Sequence, residues 1–329
     1  MTQDKSIFRP VALGAVWLAL IITNPLLDSR LSFAADPLRV GKSVPQAFSF
    51  VPLDVGMKSG IFKKNGLDID ASAFAGDAKM QQAMAADSID IGIGSGPAMA
   101  FIAKGAPIKA VAAMAGRPLL LTLAVRSDGS VKTVADLKGK KVGVSTVGSL
   151  TYWVADELSR QRGWGAGGIE IVPVGAFKSM LAALKTKQID GMVTDVATAY
   201  EMEKSGQGKI LYRFGDLVKD FHIHVIFATN KTIANRPDAI RAFLKGWFET
   251  IAFMRKNKAT SVEIAKDIME TDTAIAGRVY DELMPMFSDD GKFDPKALAV
   301  LSRSYVELHV LDKEPEMTKL FTEAYLPKK

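Results

Sequence analysis

The sequence predicts an α/β fold of two similar lobes, each a mainly parallel sheet flanked by helices, joined by two hinge crossings. Three observations predict it. Short apolar strands alternate with helical stretches from Leu38 to Arg213, the rhythm of parallel sheets with helices on both faces. Met84–Asp90 and Leu184–Asp190 repeat one design, in which a helix end and a polar turn lead through Ile-Asp into a strand. At 329 residues, 48% hydrophobic and 24% charged, the chain has the length for two domains and an ordinary globular composition.

The elements follow in order. Residues 1–34 read as an export signal, with Lys5 and Arg9 ahead of an apolar run from Val11 to Ile22. Ser32-Phe33-Ala34 then supplies the small residues expected before a cleavage point after Ala34 or Ala35. The run is short for a membrane-spanning helix. Residues 35–126 read as the first lobe. Its strands are Leu38–Gly41, Asp68–Ala73, Ile89–Ile93, Ile108–Ala113 and Leu119–Val125, with helices over Pro52–Lys58, Gly76–Ala86 and Ala98–Lys104. Pro97 stands at a helix start, where proline is favoured. Residues 127–221 read as the second lobe. Its strands are Val142–Val144, Ile169–Val174, Ile189–Thr194 and Lys209–Arg213, with helices over Leu150–Gln161, Phe177–Thr186 and Ala197–Lys204. The crossings fall near Val125–Ser130 and Gly215–His222. Residues 222–329 begin with an alternating strand, His222–Thr229, and continue as helices packing on the first lobe. Ala239, Phe243, Trp247 and Ile251 form one apolar stripe there.

The stretch Asp136–Trp153 carries the chemistry. A strand, Val142–Val144, ends in a Ser/Thr/Gly turn at a helix start. Such a turn leaves backbone N–H groups unpaired and adds hydroxyl donors. A helix N-terminus favours an anion by ~0.3–1 kcal/mol, and by up to about 2 when partly buried. Ser145, Thr146, Gly148 and Ser149 are therefore candidate ligand contacts, with helix capping by Ser145 or Ser149 as the competing reading. Nucleotide motifs fail here. Gly143 to Gly148 has the glycine spacing of a P-loop, but Ser149-Leu150 replaces its Lys-Ser/Thr. Gly92-Ile93-Gly94-Ser95-Gly96 lacks the last gap of a dinucleotide fingerprint.

Composition excludes more. The net charge of +6 is spread without a basic run, which argues against nucleic acid and suits an anionic ligand. There are no cysteines, so a thiol nucleophile, a Cys zinc site, an iron–sulfur cluster and a thiol-linked lipid are excluded. No nucleophile–base pair stands at a credible spacing, and no enzyme activity or cofactor is expected.

The chain resembles the solute-binding proteins of ABC importers, in the group that includes sulfonate, taurine, nitrate and thiamine-pyrimidine binders. The likeness covers nearly all of the expected mature chain. It rests on Gly60-Ile61-Phe62-Lys63-Lys64-Asn65-Gly66-Leu67, Ile89-Asp90-Ile91-Gly92, Asp136-Leu137-Lys138-Gly139-Lys140-Lys141-Val142-Gly143-Val144 and Gly148-Ser149. The resemblance implies a two-lobed periplasmic-binding-protein fold of type II, with a ligand cleft lined by loops at strand C-terminal ends. It implies delivery of that ligand to an inner-membrane permease; the leader and the lack of cysteines point to a mature form free in the periplasm, expected to be a monomer. Within that frame Gln46, Ser95 and Gly96 line the cleft from the first lobe, and Phe48 or Phe50 covers an apolar part of the ligand.

The remaining candidates carry two readings each. Arg117 follows a strand and either pairs with an anion or is a solvated loop residue; Lys178 reads as a surface residue. Asp195 either favours a ligand with an amine or ring nitrogen or caps the following helix. His222 and His224 lie two apart on a strand and hence on one face. No third metal ligand accompanies them, so His222 is expected to line the cleft and no metal is expected. Tyr152 and Trp153 read as helix packing. An enzyme of the thiamine-pyrimidine synthase type, a binder of that pyrimidine, and a sensing module are the competing functions.

Overall fold

The computed structural model describes residues 36–147, 149–165 and 167–328. The expected signal segment and Gly148 lie outside the described residues. The first lobe runs β1 (Leu38–Lys42), α1 (Val51–Lys58), α2 (Ile61–Lys64), β2 (Ile69–Ala73), α3 (Asp77–Ala85), β3 (Ile91–Ser95), α4 (Ala100–Ala103) and β4 (Ile108–Ala115). The second runs β5 (Leu121–Arg126), β6 (Lys141–Val144), α5 (Leu150–Gln161), β7 (Glu170–Pro173), α6 (Phe177–Lys185), β8 (Gly191–Asp195), α7 (Val196–Lys204), β9 (Gly208–Arg213) and α8 (Phe214–Leu217). The chain then returns through β10 (His224–Thr229), α9 (Asn230–Asn235), α10 (Pro237–Lys256), α11 (Lys258–Met269), α12 (Thr273–Leu283) and α13 (Pro295–Glu307).

Two five-stranded sheets result, ordered β2-β1-β3-β10-β4 and β7-β6-β8-β5-β9. In each, one strand runs against the rest: β10 in the first and β5 in the second. This makes each sheet mainly parallel, as expected. It also moves a boundary. The apolar run Leu119–Val125 belongs to the second sheet, so the first crossing is Gly116–Leu120 and not Val125–Ser130. An apolar run fits the centre of either sheet equally well, and its antiparallel pairing with β8 and β9 decides.

The repeated Ile-Asp has a physical reason in both lobes. A Cβ on Gly41 of β1 would meet Ile89 Cδ1 at 2.5 Å, and one on Gly143 of β6 would meet Ile189 Cδ1 at 2.6 Å. Each isoleucine closes over a glycine that no larger residue can replace without displacement. The neighbouring aspartates hold the same strands: Asp90 accepts the Arg39 N–H at 2.9 Å, and Asp190 accepts the Lys141 N–H at 3.0 Å. Asp87 and Lys187 both take the left-handed conformation at the matching turn (φ 58° and 63°). The echo is therefore structural, not a ligand motif.

The Gly60–Leu67 segment is also packing. Gly60 enters α2 at φ 72°, and Phe62 is buried and stacked on Phe243 at 5.3 Å. A Cβ on Gly56 of α1 or Gly246 of α10 would touch the Phe62 ring at 2.5 or 2.8 Å. Two glycines thus make the slot that this ring fills, and burying it contributes roughly 1.5–3 kcal/mol.

The helices after β10 do not rest on one lobe alone. α10 packs on α1 and α2 in the first lobe, while α12 lies along α7 of the second. Arg278 of α12 sits 3.6 Å from the Tyr200 ring centre and bonds Glu203 at 3.2 Å. Glu282 bonds Tyr200 and Arg213, and Lys204 pairs with Asp272. On the other flank, Glu307 of α13 bonds Arg160 of α5 at 2.9 Å and the Trp153 indole N–H at 2.8 Å. No helix among the described residues is long and apolar enough to cross a membrane.

Candidate functional site

The strand registers bring one end of each sheet to the crossings between the lobes. In the first sheet His224 pairs with Ser95 and Ala115, so β3, β4 and the start of β10 share one edge. In the second sheet Leu121 pairs with Asp195 and Thr122 with Arg213, so β5, β8 and β9 share another. Both crossings, Gly116–Leu120 and Val218–Ile223, join these two edges. The strand C-terminal ends of the lobes therefore border the region that the crossings bridge, where open α/β sheets place ligands. The crossings are tied together at their base: Ile223 N–H donates to Gly116 C=O at 2.8 Å, and Gly96 N–H donates to Ile223 C=O at 2.9 Å.

On the second lobe, the turn after β6 is more self-satisfied than its sequence suggests. Ser149 caps α5, accepting from Tyr152 N–H at 3.2 Å and donating to Thr146 C=O at 2.8 Å. Thr151, buried in the first turn, accepts the Ser145 N–H at 3.0 Å and lies 2.8 and 2.9 Å from the hydroxyls of Ser145 and Ser149. Thr146 and Val147 are exposed, Val147 at 69%. The capping reading of Ser149 thus describes its bonds, and Thr151 is the organiser that the sequence reading missed. A threonine inside a helix start carries no sequence signal of such a role, because its hydroxyl could equally face solvent.

Asp195 caps α7, accepting the Thr198 N–H at 3.0 Å and hydroxyl at 2.6 Å. It remains half-buried on the gap edge. Arg117 is exposed on the first crossing, and Lys178 is exposed at the start of α6.

On the first lobe, Ser95 ends β3, and its N–H donates to Asp77 Oδ1 at 2.9 Å. Burial raises the Asp77 carboxyl above its usual range, opposed by the bonds from Ser95 N–H and from the Ser95 and Ser43 hydroxyls. Asp77 was not among the expected residues, because an acid in the first turn of a helix has a sufficient local explanation. Lys42, at the end of β1, holds Asp54 at 3.0 Å in a nearly buried pair. Gln46 is exposed.

Three expected residues make close contacts within the protein. Phe48 is buried against Tyr280 and Phe287, at 6.3 and 6.1 Å between ring centres, and so anchors its loop to α12 and the turn after it. Gly96 serves close approach: a Cβ there would lie 1.8 Å from the His222 carbonyl oxygen. His222 is buried beside Phe293, and its Nε2 accepts the Asp294 N–H at 2.9 Å. Burial lowers its pKa, opposed by Asp294. It lies ahead of β10, so strand alternation does not bind it to His224, which instead packs on Phe50 at 4.9 Å. Among the described residues no group of three or more His, Cys, Asp or Glu could hold a metal ion. Tyr152 borders a hollow of about 450 Å³ with Gly139, Asp156 and Glu170.

The comparisons agree with this architecture. The aliphatic sulphonate binding protein SsuA of Escherichia coli superposes with a TM-score of 0.74 at 18% identity, over 87% of this chain and 92% of that one. The nitrate-binding protein NrtA of Synechocystis gives 0.66 at 13% identity, over 88% and 86%. Both are periplasmic proteins by name, and the shared fold is the periplasmic-binding-protein fold. A protein of Brucella abortus, provisionally named a binding protein, is 26% identical over 266 residues, 78% of this chain and 79% of its own. The family described as NMT1/THI5 like matches residues 47–260. With the match spanning most of both sheets and the return helix, the chain belongs to the NMT1/THI5-like family.

Proposed function

We propose that this protein is an exported solute-binding component that captures a small organic anion in the interlobe gap and passes it to an ABC permease. The ligand is of the sulfonate, taurine or nitrate kind, and it leaves chemically unchanged. The observation that supports this reading is the turn after β6, where Thr151 holds the Ser145 amide and the Ser145 and Ser149 hydroxyls and leaves Thr146 exposed at the strand end that faces the first lobe. Thr146 at that turn and Arg117 on the crossing are exposed donors for the anionic group. Free movement in the periplasm as a monomer belongs to the same proposal.

A second reading, capture of a thiamine-precursor pyrimidine or another nitrogen heterocycle, draws on Asp195. A carboxylate at the gap edge accepts N–H donors and repels a bare anion.

Thermal-shift screening of the mature chain against alkanesulfonates, taurine, nitrate, short carboxylates and pyrimidines tests the proposal. A binder at a hundred times its Kd adds about 2.7 kcal/mol of stability, a rise of several degrees in Tm. The expected result is a rise with one chemical class, with the compound recovered intact. No rise with any of them, or recovery of a converted product, overturns it.

A further inference from the structure

Asp77 is a half-buried carboxylate with no basic partner among the described residues, a state it shares with Asp195 across the lobes. Asp54 faces Lys42, Asp90 faces Arg39 and Arg236, Glu157 faces Arg160, and Glu307 faces Arg160 and Arg303. A basic partner is what makes an enclosed carboxylate tolerable. Among the described residues Asp77 is bonded by neutral donors: Ser95 N–H and the hydroxyls of Ser95 and Ser43. The carboxyl is pressed against the strand end, where a Cβ on Gly94 would sit 2.5 Å from Oδ1. Ser95 and Ser43 are the residues that close β3 and follow β1, so the carboxyl lies at the gap-facing edge of the first lobe.

The internal repeat shows that the fold does not require an acid there. Gly76 N–H donates to Ser43 C=O at 2.8 Å, and Gly175 N–H donates to Ser145 C=O at 2.9 Å. Ser95 and Asp195 likewise both close the central strand of their five-stranded sheet. In this alignment the first residue of α3, Asp77, corresponds to the first residue of α6, Phe177. The second lobe thus begins the same helix with an uncharged ring and carries its carboxylate at the strand end instead. Each lobe brings one carboxyl to the gap, from exchanged positions.

We propose that Asp77 is a ligand-recognising carboxyl that takes a nitrogen-bound hydrogen of the solute, so that the ligand carries an amine-type donor as well as its anionic group. The inference rests on the gap being the ligand site. The first lobe reads the nitrogen; the hydroxyl-rich turn of the second lobe receives the anionic end. An amine supplies to Asp77 the cationic partner that no side chain provides. A bare oxyanion would leave the carboxyl facing like charge.

Two matched pairs test this by isothermal titration calorimetry: taurine against ethanesulfonate, and β-alanine against propionate. The wild-type chain is expected to bind the amine-bearing member of at least one pair about tenfold or more tightly than its partner. Asp77→Asn keeps an acceptor for the Ser95 N–H but loses the charge, and should bring that pair to within about twofold. Asp77→Ser is the second variant, smaller and likewise uncharged, should the amide disturb the strand end. Equal binding of amine-bearing and amine-free members by wild type overturns the inference and leaves anion capture standing. So does undiminished selectivity in both variants. Absence of binding to every compound overturns both.

Discussion

The indole of Trp153 and the ring of Phe221 lie stacked 5.2 Å apart at an interplanar angle of 13°. Trp153 sits in the first turns of α5, just beyond the Ser149 cap, and Phe221 sits in the second crossing. The indole N–H reaches Glu307 on α13. The start of α5 is therefore packed on the hinge itself and hydrogen-bonded to a helix of the returning segment. Any rotation of the second lobe about the crossings must carry or break this contact.

Trp153→Ala removes a buried ring and its stack, and should lower the unfolding free energy by about 3–5 kcal/mol. Trp153→Phe keeps one aromatic ring against Phe221 but loses the second ring and the bond to the Glu307 carboxylate, at a smaller cost of about 1.5–3 kcal/mol. Urea denaturation of the two variants checks the order. Equal losses would mean that the retained ring contributes little.

Gly96→Ala places a methyl group into the His222 carbonyl oxygen, so the returning chain must move. A loss of about 3 kcal/mol is expected, the range of severe overpacking. Gly277 in α12 has nothing within 4 Å of an added Cβ, and Gly277→Ala should stabilise the chain by about 0.5–1 kcal/mol. The opposite signs can be read from thermal unfolding. A neutral Gly96→Ala would show that the crossing is slack enough to step aside.

His224 sets a pH dependence. Burial against Phe50 lowers its pKa from 6.5 to about 3, and its Nδ1 has no partner among the described residues. Between those values the unfolded chain binds a proton that the folded chain refuses, so stability falls as pH drops. One histidine contributes roughly 1.4 kcal/mol per pH unit in that window. His222, also lowered by burial, acts in the same direction. His224→Phe should flatten, without abolishing, the loss of stability below pH 6.5 in denaturation series. An unchanged slope would place the proton uptake elsewhere.

Some of this was legible in the chain because the deciding interactions are local. A helix start after a strand, a glycine at a turn and an Ile-Asp step repeat in both halves, since the same neighbours within a few residues demand them. The two lobes, their mainly parallel sheets and the return through β10 follow from that pattern. The candidate site was legible only as a set of loops. Gln46 and Phe48 stand two apart in one loop, yet one is exposed and the other is packed on Tyr280 and Phe287, residues far away in sequence. Thr151 uses the Ser145 amide that the turn alone would leave for a ligand.

The sequence by itself determined the alternation of elements, the duplicated lobe and the turns that edge the gap, because those depend on backbone sterics and short-range hydrogen bonds. Tertiary structure alone decided that β5 joins the second sheet, that α12 lies along α7, and that Asp77 meets the Ser95 N–H at the end of β3. Those outcomes turn on which distant surfaces meet, and an apolar run or a first-turn acid looks the same whichever partner it finds.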